Sequence, residues 1–253
     1  MVRSISSAGA LVILASLILQ GCQARSSNSA VTPWATATDK IRLSGIQAGP
    51  EDAKIGILLV HDWFGITPFT RAAVGRLAAA GYKVVAVDLY HGQAATTHPE
   101  AQTLMDALDG ETVALQLLAA IEQLAASGRK IVTLGFSMGG APALNAALAS
   151  PERVAGSAII YGGLSAEEAK LAQWPGELLL ITGSLDSWAV ESAEKIRSQL
   201  DGLDRAPEYY LYPNADHAFA QPLYNGGRNY DDEATRMMWL ILEHFLARIS
   251  TRV

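Results

Sequence analysis

The chain has 253 residues, half of them apolar and 17% charged, with a formal net charge of −6. That length and apolar content support a sizeable core. A mildly acidic balance without a basic run argues against a nucleic-acid partner, and no internal repeat is visible.

Residues 1–21 read as an export signal. Arg3 supplies the basic start, and residues 8–19 form an apolar stretch of signal-peptide length, short and weakly flanked for a transmembrane helix. The stretch ends in Leu19-Gln20-Gly21-Cys22, which resembles a bacterial lipobox, whose cysteine is lipidated and becomes the new N-terminus. Cys22 is the only cysteine of the chain, so in an exported protein it has no internal disulfide partner. The alternative is an ordinary cleaved signal with an incidental cysteine. Gln23 stands where an aspartate would favour inner-membrane retention, so the expected location is a lipid anchor in the bacterial envelope, with the outer membrane preferred. Residues 22–39, polar and rich in Ser, Thr and Ala, read as a tether, and residues 40–253 as one domain.

The domain opens with the continuous apolar run 54–60, expected for a strand covered on both faces, followed by the loop His61-Asp62-Trp63-Phe64-Gly65. Pro68 starts a helix that Gly81 stops. A strand over 83–87 ends at Asp88-Leu89-Tyr90, and an irregular loop leads to a helix over 100–127, interrupted near Asp109-Gly110. The β-branched run 130–134 precedes Gly135-Phe136-Ser137-Met138-Gly139-Gly140, and a small-residue helix follows over 141–149. Further strands are expected over 154–160, 178–182 and 208–212, with helices over 188–200 and 231–248. Alternating strands and helices define an α/β domain with a mostly parallel, doubly wound sheet. In such sheets the chemistry gathers at the carboxyl ends of the strands.

Gly135-x-Ser137-x-Gly139 lies at the strand-to-helix turn, where a serine is lifted off the sheet beside free N–H groups at a helix start. A glycine-rich packing turn or a phosphate-cradling loop would use similar residues. The other ionisable residues at predicted strand ends are His61, Asp62, Asp88, Asp186 and His217. Among them Ser137, Asp186 and His217 follow the chain order of α/β-hydrolases. A neutral serine needs a base in contact; His217 suits that role, and Asp186 would orient the imidazole. Asp186 could instead be a helix cap, and His217 a surface histidine. Asp216 is adjacent in sequence to the imidazole it would have to orient, and Asp88 precedes the serine, so both are weaker candidates. Two backbone donors are needed for an oxyanion, and Met138 N–H and Trp63 N–H are the candidates. His61 reads as a structural member of its loop; with no second ligand at useful spacing, no metal site is expected. His244 reads as structural and His98 as incidental. Candidate pocket walls are Trp63, Phe64, Tyr90, Tyr161, Trp188, Phe219 and Tyr224.

Three stretches together, Leu59-Val60-His61-Asp62-Trp63-Phe64-Gly65, Ala86-Val87-Asp88-Leu89-Tyr90, and Gly135-to-Gly140 with Gly183-Ser184-Leu185-Asp186 and Asp216-His217-Ala218-Phe219-Ala220, resemble the dienelactone hydrolase family of the α/β-hydrolases over roughly residues 54–248. The resemblance implies an α/β-hydrolase fold, no cofactor, and hydrolysis at a Ser137–His217–Asp186 triad. The namesake enzymes carry a cysteine where Ser137 stands, which points here to ordinary ester hydrolysis. Asp62 takes the place of a glutamate that contacts the resting thiol, one methylene shorter, and so inherits a supporting or gating role. Two arginines that hold the substrate carboxylate in the namesake are replaced by His91-Gly92 and Gln221, so dienelactone is not the expected substrate.

No long lid insertion is visible, so a small or medium ester is expected. The leading reading is a lipid-anchored serine carboxylesterase. An acyltransferase or peptidase would use the same triad. A non-catalytic envelope binding lipoprotein would have no need of all three residues.

Overall fold

The computed structural model describes residues 2–4, 30–37, 41–203 and 205–252. Cys22 and all of the expected export signal except Val2–Ser4 lie outside them. Among the described residues nine strands form one sheet in the order β1-β9-β8-β7-β6-β4-β5-β3-β2. In chain order they are β1 (Val2–Ser4), β2 (Thr32–Ala37), β3 (Arg42–Ala48), β4 (Ile55–Val60), β5 (Lys83–Val87), β6 (Lys130–Phe136), β7 (Val154–Ile160), β8 (Glu177–Gly183) and β9 (Glu208–Tyr212). The helices are α1 (Pro68–Ala79), α2 (His98–Asp106), α3 (Gly110–Ala125), α4 (Gly140–Leu148), α5 (Glu168–Gln173), α6 (Ser187–Asp201) and α7 (Asp232–Ser250). Among the described residues only the β2–β3 and β3–β5 pairings are antiparallel. The expected mostly parallel α/β-hydrolase sheet is thus present, with an antiparallel extension at one edge.

The sheet is covered on both faces, which is why its central strands are continuous apolar runs. All six residues of β4 are buried. Ile57 and Leu59 pack with α1 and α7 on one face, whereas Leu58 and Val60 pack with α3 and α4 on the other. The same alternation sends Leu179 and Ile181 of β8 to the first layer, and Leu178 and Leu180 to the second. Each such side chain contributes roughly 1.5–3 kcal/mol by leaving water.

The N-terminal boundary departs from expectation. Thr32–Ala37, placed by sequence in the tether, is strand β2, paired with β3 from Thr32↔Gln47 to Ala37↔Arg42. Trp34 supplies the reason: it is 7% exposed and packs into the α3-side layer. Strand β3 was not among the expected elements, and Val2–Ser4, within the expected export signal, pairs in parallel with β9. The break expected near Asp109-Gly110 is present: the stretch forms two helices, α2 and α3, because Asp109 caps a fresh start by accepting from Thr112 N–H.

Strand order sets the site. β4 and β6 are neighbours, with Val60 opposite Gly135, so the loop after β4 lies against the turn after β6. β8 and β9 are neighbours, with Gly183 opposite Tyr212, so the segments carrying Asp186 and His217 also leave the sheet side by side.

Candidate active site

The turn after β6 is held in a conformation few residues adopt. Ser137 sits at φ +49°, the left-handed region that costs a non-glycine residue energy unless its surroundings enforce it. The neighbouring glycines make the turn sterically feasible. A Cβ on Gly135 would lie 2.3 Å from the Gly139 carbonyl oxygen, and one on Gly139 would lie 2.4 Å from the Val60 carbonyl oxygen. The chain passes so close to itself there that only glycine fits. A short 3₁₀ turn, Ser137–Gly139, then leads into α4.

Ser137 Oγ lies 2.9 Å from His217 Nε2, and His217 Nδ1 lies 2.6 Å from Asp186 Oδ2. The three residues singled out from different parts of the sequence therefore form one hydrogen-bonded line. Asp186 also caps α6, accepting from Ala189 N–H through Oδ1 at 3.1 Å. The cap and the imidazole partner are not alternatives, because a carboxylate has two oxygens. His217 N–H donates to its neighbour Asp216 at 2.7 Å, and Asn229 Nδ2 donates to the His217 carbonyl at 2.9 Å. Trp188, Tyr224 and Tyr161 surround the imidazole at 5.5, 5.1 and 5.8 Å between ring centroids. Sequence reasoning gave no role to Asn229, for which no local motif exists.

A cavity of about 680 Å³ opens over Ser137, walled by Trp63, Met105, Met138, Leu164, Trp188 and Tyr224 among others. Of the seven expected wall residues, Trp63, Trp188 and Tyr224 line it. Phe64, Tyr161 and Phe219 are fully buried packing residues. Tyr90 acts from behind the wall: its hydroxyl donates to the Trp63 carbonyl at 3.0 Å and lies 3.3 Å from Met138 Sδ. Met105 of α2 and the stretch from Gly163 to Ser165 complete the lining; neither was singled out in the sequence. His98, read there as incidental, belongs to an aromatic group with Trp63, Phe64 and Tyr224 at 5.0, 5.9 and 5.1 Å.

The loop after β4 is organised by Asp62, which is 3% exposed. Its Oδ1 accepts from Phe64 N–H at 2.8 Å, and its Oδ2 from Gln221 Nε2 at 2.5 Å. Gly65 N–H donates to the Asp62 carbonyl. Among the described residues, none accepts from Trp63 N–H, the expected oxyanion donor of this loop. Both Asp62 oxygens are engaged away from Ser137, so the carboxylate ties two loops together and makes no hydrogen bond to the nucleophile candidate. Burial pushes its carboxyl up to about 6, against the lowering effect of the Gln221 and Phe64 donors and of nearby His217. His61 is structural as expected: its Nε2 accepts from Leu89 N–H at 3.2 Å, and burial lowers the pKa of its ring. Asp88, the rival carboxylate, accepts from Tyr90 and Gly92 N–H and has no part in the line. Among the described residues, no group of three or more His, Cys, Asp and Glu side chains is arranged to hold a metal.

Fold and site together define an α/β-hydrolase-fold enzyme, a hydrolase. More narrowly, the chain belongs to the dienelactone hydrolase family, whose family model matches residues 43–250. Among curated proteins it is similar to carboxymethylenebutenolidase 1 of Cupriavidus pinatubonensis, at 29% identity covering 71% of this chain and 80% of that one. Among solved structures it is similar to a dienelactone hydrolase-like promiscuous phosphotriesterase from metagenomic libraries, with a TM-score of 0.76 and 18% identity over 87% of this chain and 98% of that one. It is also similar to dienelactone hydrolase from Anabaena variabilis, with a TM-score of 0.66 and 22% identity over 86% of this chain and 97% of that one. At these identities the structural likeness speaks for the fold.

Proposed function

We propose that the protein is a serine carboxylesterase. The observation that carries this reading is the line Ser137 Oγ–His217 Nε2–Asp186 Oδ2, with separations of 2.9 and 2.6 Å, at the floor of a largely apolar cavity. Ser137 attacks the ester carbonyl as His217 takes its proton, and Asp186 holds the imidazole tautomer and stabilises the imidazolium. The N–H groups of Met138 and Trp63 receive the oxyanion. His217 then gives its proton to the departing alcohol, and the acyl group stays on Ser137. Water activated by His217 releases the acid and restores the serine.

The substrate is an uncharged ester. Among the described residues the cavity wall contains no arginine or lysine, so no bidentate clamp for a substrate carboxylate is available. Gln221, at one of the two clamp positions of the resemblance, is 1% exposed and spent on Asp62. The protein acts from a lipid anchor at Cys22 in the bacterial envelope, preferentially the outer membrane. Radiolabelled palmitate incorporated into wild type and not into Cys22→Ala supports the anchor; equal labelling overturns it.

The enzymatic reading is tested by hydrolysis of p-nitrophenyl butyrate with Ser137→Ala and His217→Ala alongside. Turnover by the wild type, reduced in both variants by at least about 1,000-fold, supports it. Undiminished turnover in either variant overturns it.

A further inference from the structure

A second cavity opens beside the first. It measures about 570 Å³ and shares three wall residues, Met138, Ala141 and Ser165, with the cavity over Ser137. From that shared wall it follows one face of α4, past Asn145 to Ala149, with α3 as the facing wall. The α4 face presents mostly small side chains, and the α3 face contributes Val113, Leu117 and Leu118. The helices pack together beneath the groove through Leu117, Leu144 and Ala147, all fully buried, so it has an apolar floor. Of the groove-wall residues, Lys170 carries the positive charge, and Glu167 engages it at 2.7 Å. Among the described residues, an anionic headgroup thus finds no unpaired cation along this wall.

We propose that this groove binds an unbranched hydrocarbon chain attached to the scissile ester. The proposal rests on the ester-hydrolase reading of Ser137 and adds the substrate class. Its length follows from the helix. Ala141 to Ala149 spans about 12 Å at ~1.5 Å rise per residue, which an extended chain with ~1.5 Å bonds fills with roughly ten carbons. Continuity at Met138 makes the groove an extension of the reacting site: the residue proposed to hold the oxyanion through its backbone also walls the groove's entrance. A butyryl group ends within the first cavity, whereas a decanoyl group enters the groove. Each fully buried methylene is worth about fourfold in binding. Partial burial in an open groove gives a smaller factor, and six additional carbons together give at least tenfold.

The test uses the full chain and two variants that fill the groove from exposed positions away from Ser137, Ala114→Trp and Asn145→Trp. Kinetics are run on p-nitrophenyl butyrate, octanoate and decanoate below their aggregation limits, and on butyl and decyl acetate. The expected result is a kcat/KM at least tenfold higher for the long chain than for butyrate. That gain is lost in both variants, while butyrate turnover stays within twofold of wild type. A gain confined to the acyl series assigns the groove to the acid side, and one confined to the acetates to the alcohol side. No gain with chain length in either series, or a gain that both variants retain, overturns the proposal. Calorimetric titration with 1-decanol, an uncharged chain, separates this outcome from failure of the enzymatic reading. If no ester is turned over, 1-decanol binding by wild type that is lost in the variants upholds the groove, and absence of binding rejects it.

Discussion

Gln221 donates to Asp62 Oδ2 at 2.5 Å across 159 positions of chain. The contact joins the loop after β4 to the segment that follows His217, and both partners are almost fully buried. Neither side chain hydrogen-bonds to Ser137, yet between them they hold the two loops that flank it. A carboxyl of this kind is a cost at neutral pH. With its pKa near 6 in the folded protein and about 3.9 unfolded, the folded state binds its proton more firmly. Its contribution to stability therefore falls as pH rises through that interval. Asp62→Asn removes this dependence. Relative to the variant, wild type is predicted to lose about 2 kcal/mol between pH 4 and pH 7, read from urea unfolding at a series of pH values. Parallel stability curves for the two proteins contradict the assignment.

Gln221→Leu acts in the opposite sense. It deletes the donor and leaves Asp62 Oδ2 buried without its partner, a change expected to cost about 1–3 kcal/mol at pH 7. The loss is smaller at pH 4.5, where the carboxyl is protonated. A penalty independent of pH would mean that Gln221 serves only as packing.

Asp186 carries two functions on two oxygens, and two substitutions separate them. Asparagine caps a helix about as well as aspartate, so Asp186→Asn keeps the α6 cap and the melting temperature. It presents the wrong partner to the imidazole and reduces kcat by about 10⁴-fold. Asp186→Ala loses the same activity and about 1 kcal/mol of stability as well. Equal melting temperatures for the alanine and asparagine variants would remove the cap from the account.

Tyr90 is a positioning residue for the proposed oxyanion site. Its hydroxyl contacts both Trp63 and Met138, the two residues whose N–H groups are proposed as donors. Tyr90→Phe keeps the ring and removes the contact. The expected effect is a kcat about tenfold lower with KM little changed, since the loss falls on the transition state. A change confined to KM would place Tyr90 in substrate binding instead.

Among the described residues the cavity over Ser137 is walled without arginine or lysine, and this predicts selectivity. Dienelactone, with its free carboxylate, is expected to be turned over at least tenfold less efficiently than p-nitrophenyl butyrate, measured as kcat/KM at equal pH and ionic strength. Dienelactone turnover equal to or above that of the simple ester would contradict this prediction.

The central strands and the residues at their ends were legible because burial on both faces forces continuous apolar runs, and because a nucleophile turn needs glycines where Gly135 and Gly139 stand. The edge was not. Strand β3 reads Arg-Leu-Ser-Gly-Ile-Gln-Ala, whose alternation is broken by Ser44 and Gly45, and β2 offers little beyond Trp34. Such strands exist through the neighbours they pair with, so local pattern underdetermines them. The Asp62–Gln221 contact and the role of His98 depend on loops brought together only by the finished sheet. For Asp186 the sequence offers a cap or an imidazole partner as alternatives, because it shows one residue where the structure uses two oxygens.

The central claim is that Ser137 is an activated nucleophile. Its most direct test is treatment of the full chain with a fluorophosphonate, followed by peptide mass spectrometry. The account predicts a single stoichiometric adduct on Ser137, abolished in His217→Ala because the hydroxyl loses its base. A folded wild-type protein that takes up no label at Ser137, or that labels equally well without His217, would contradict it.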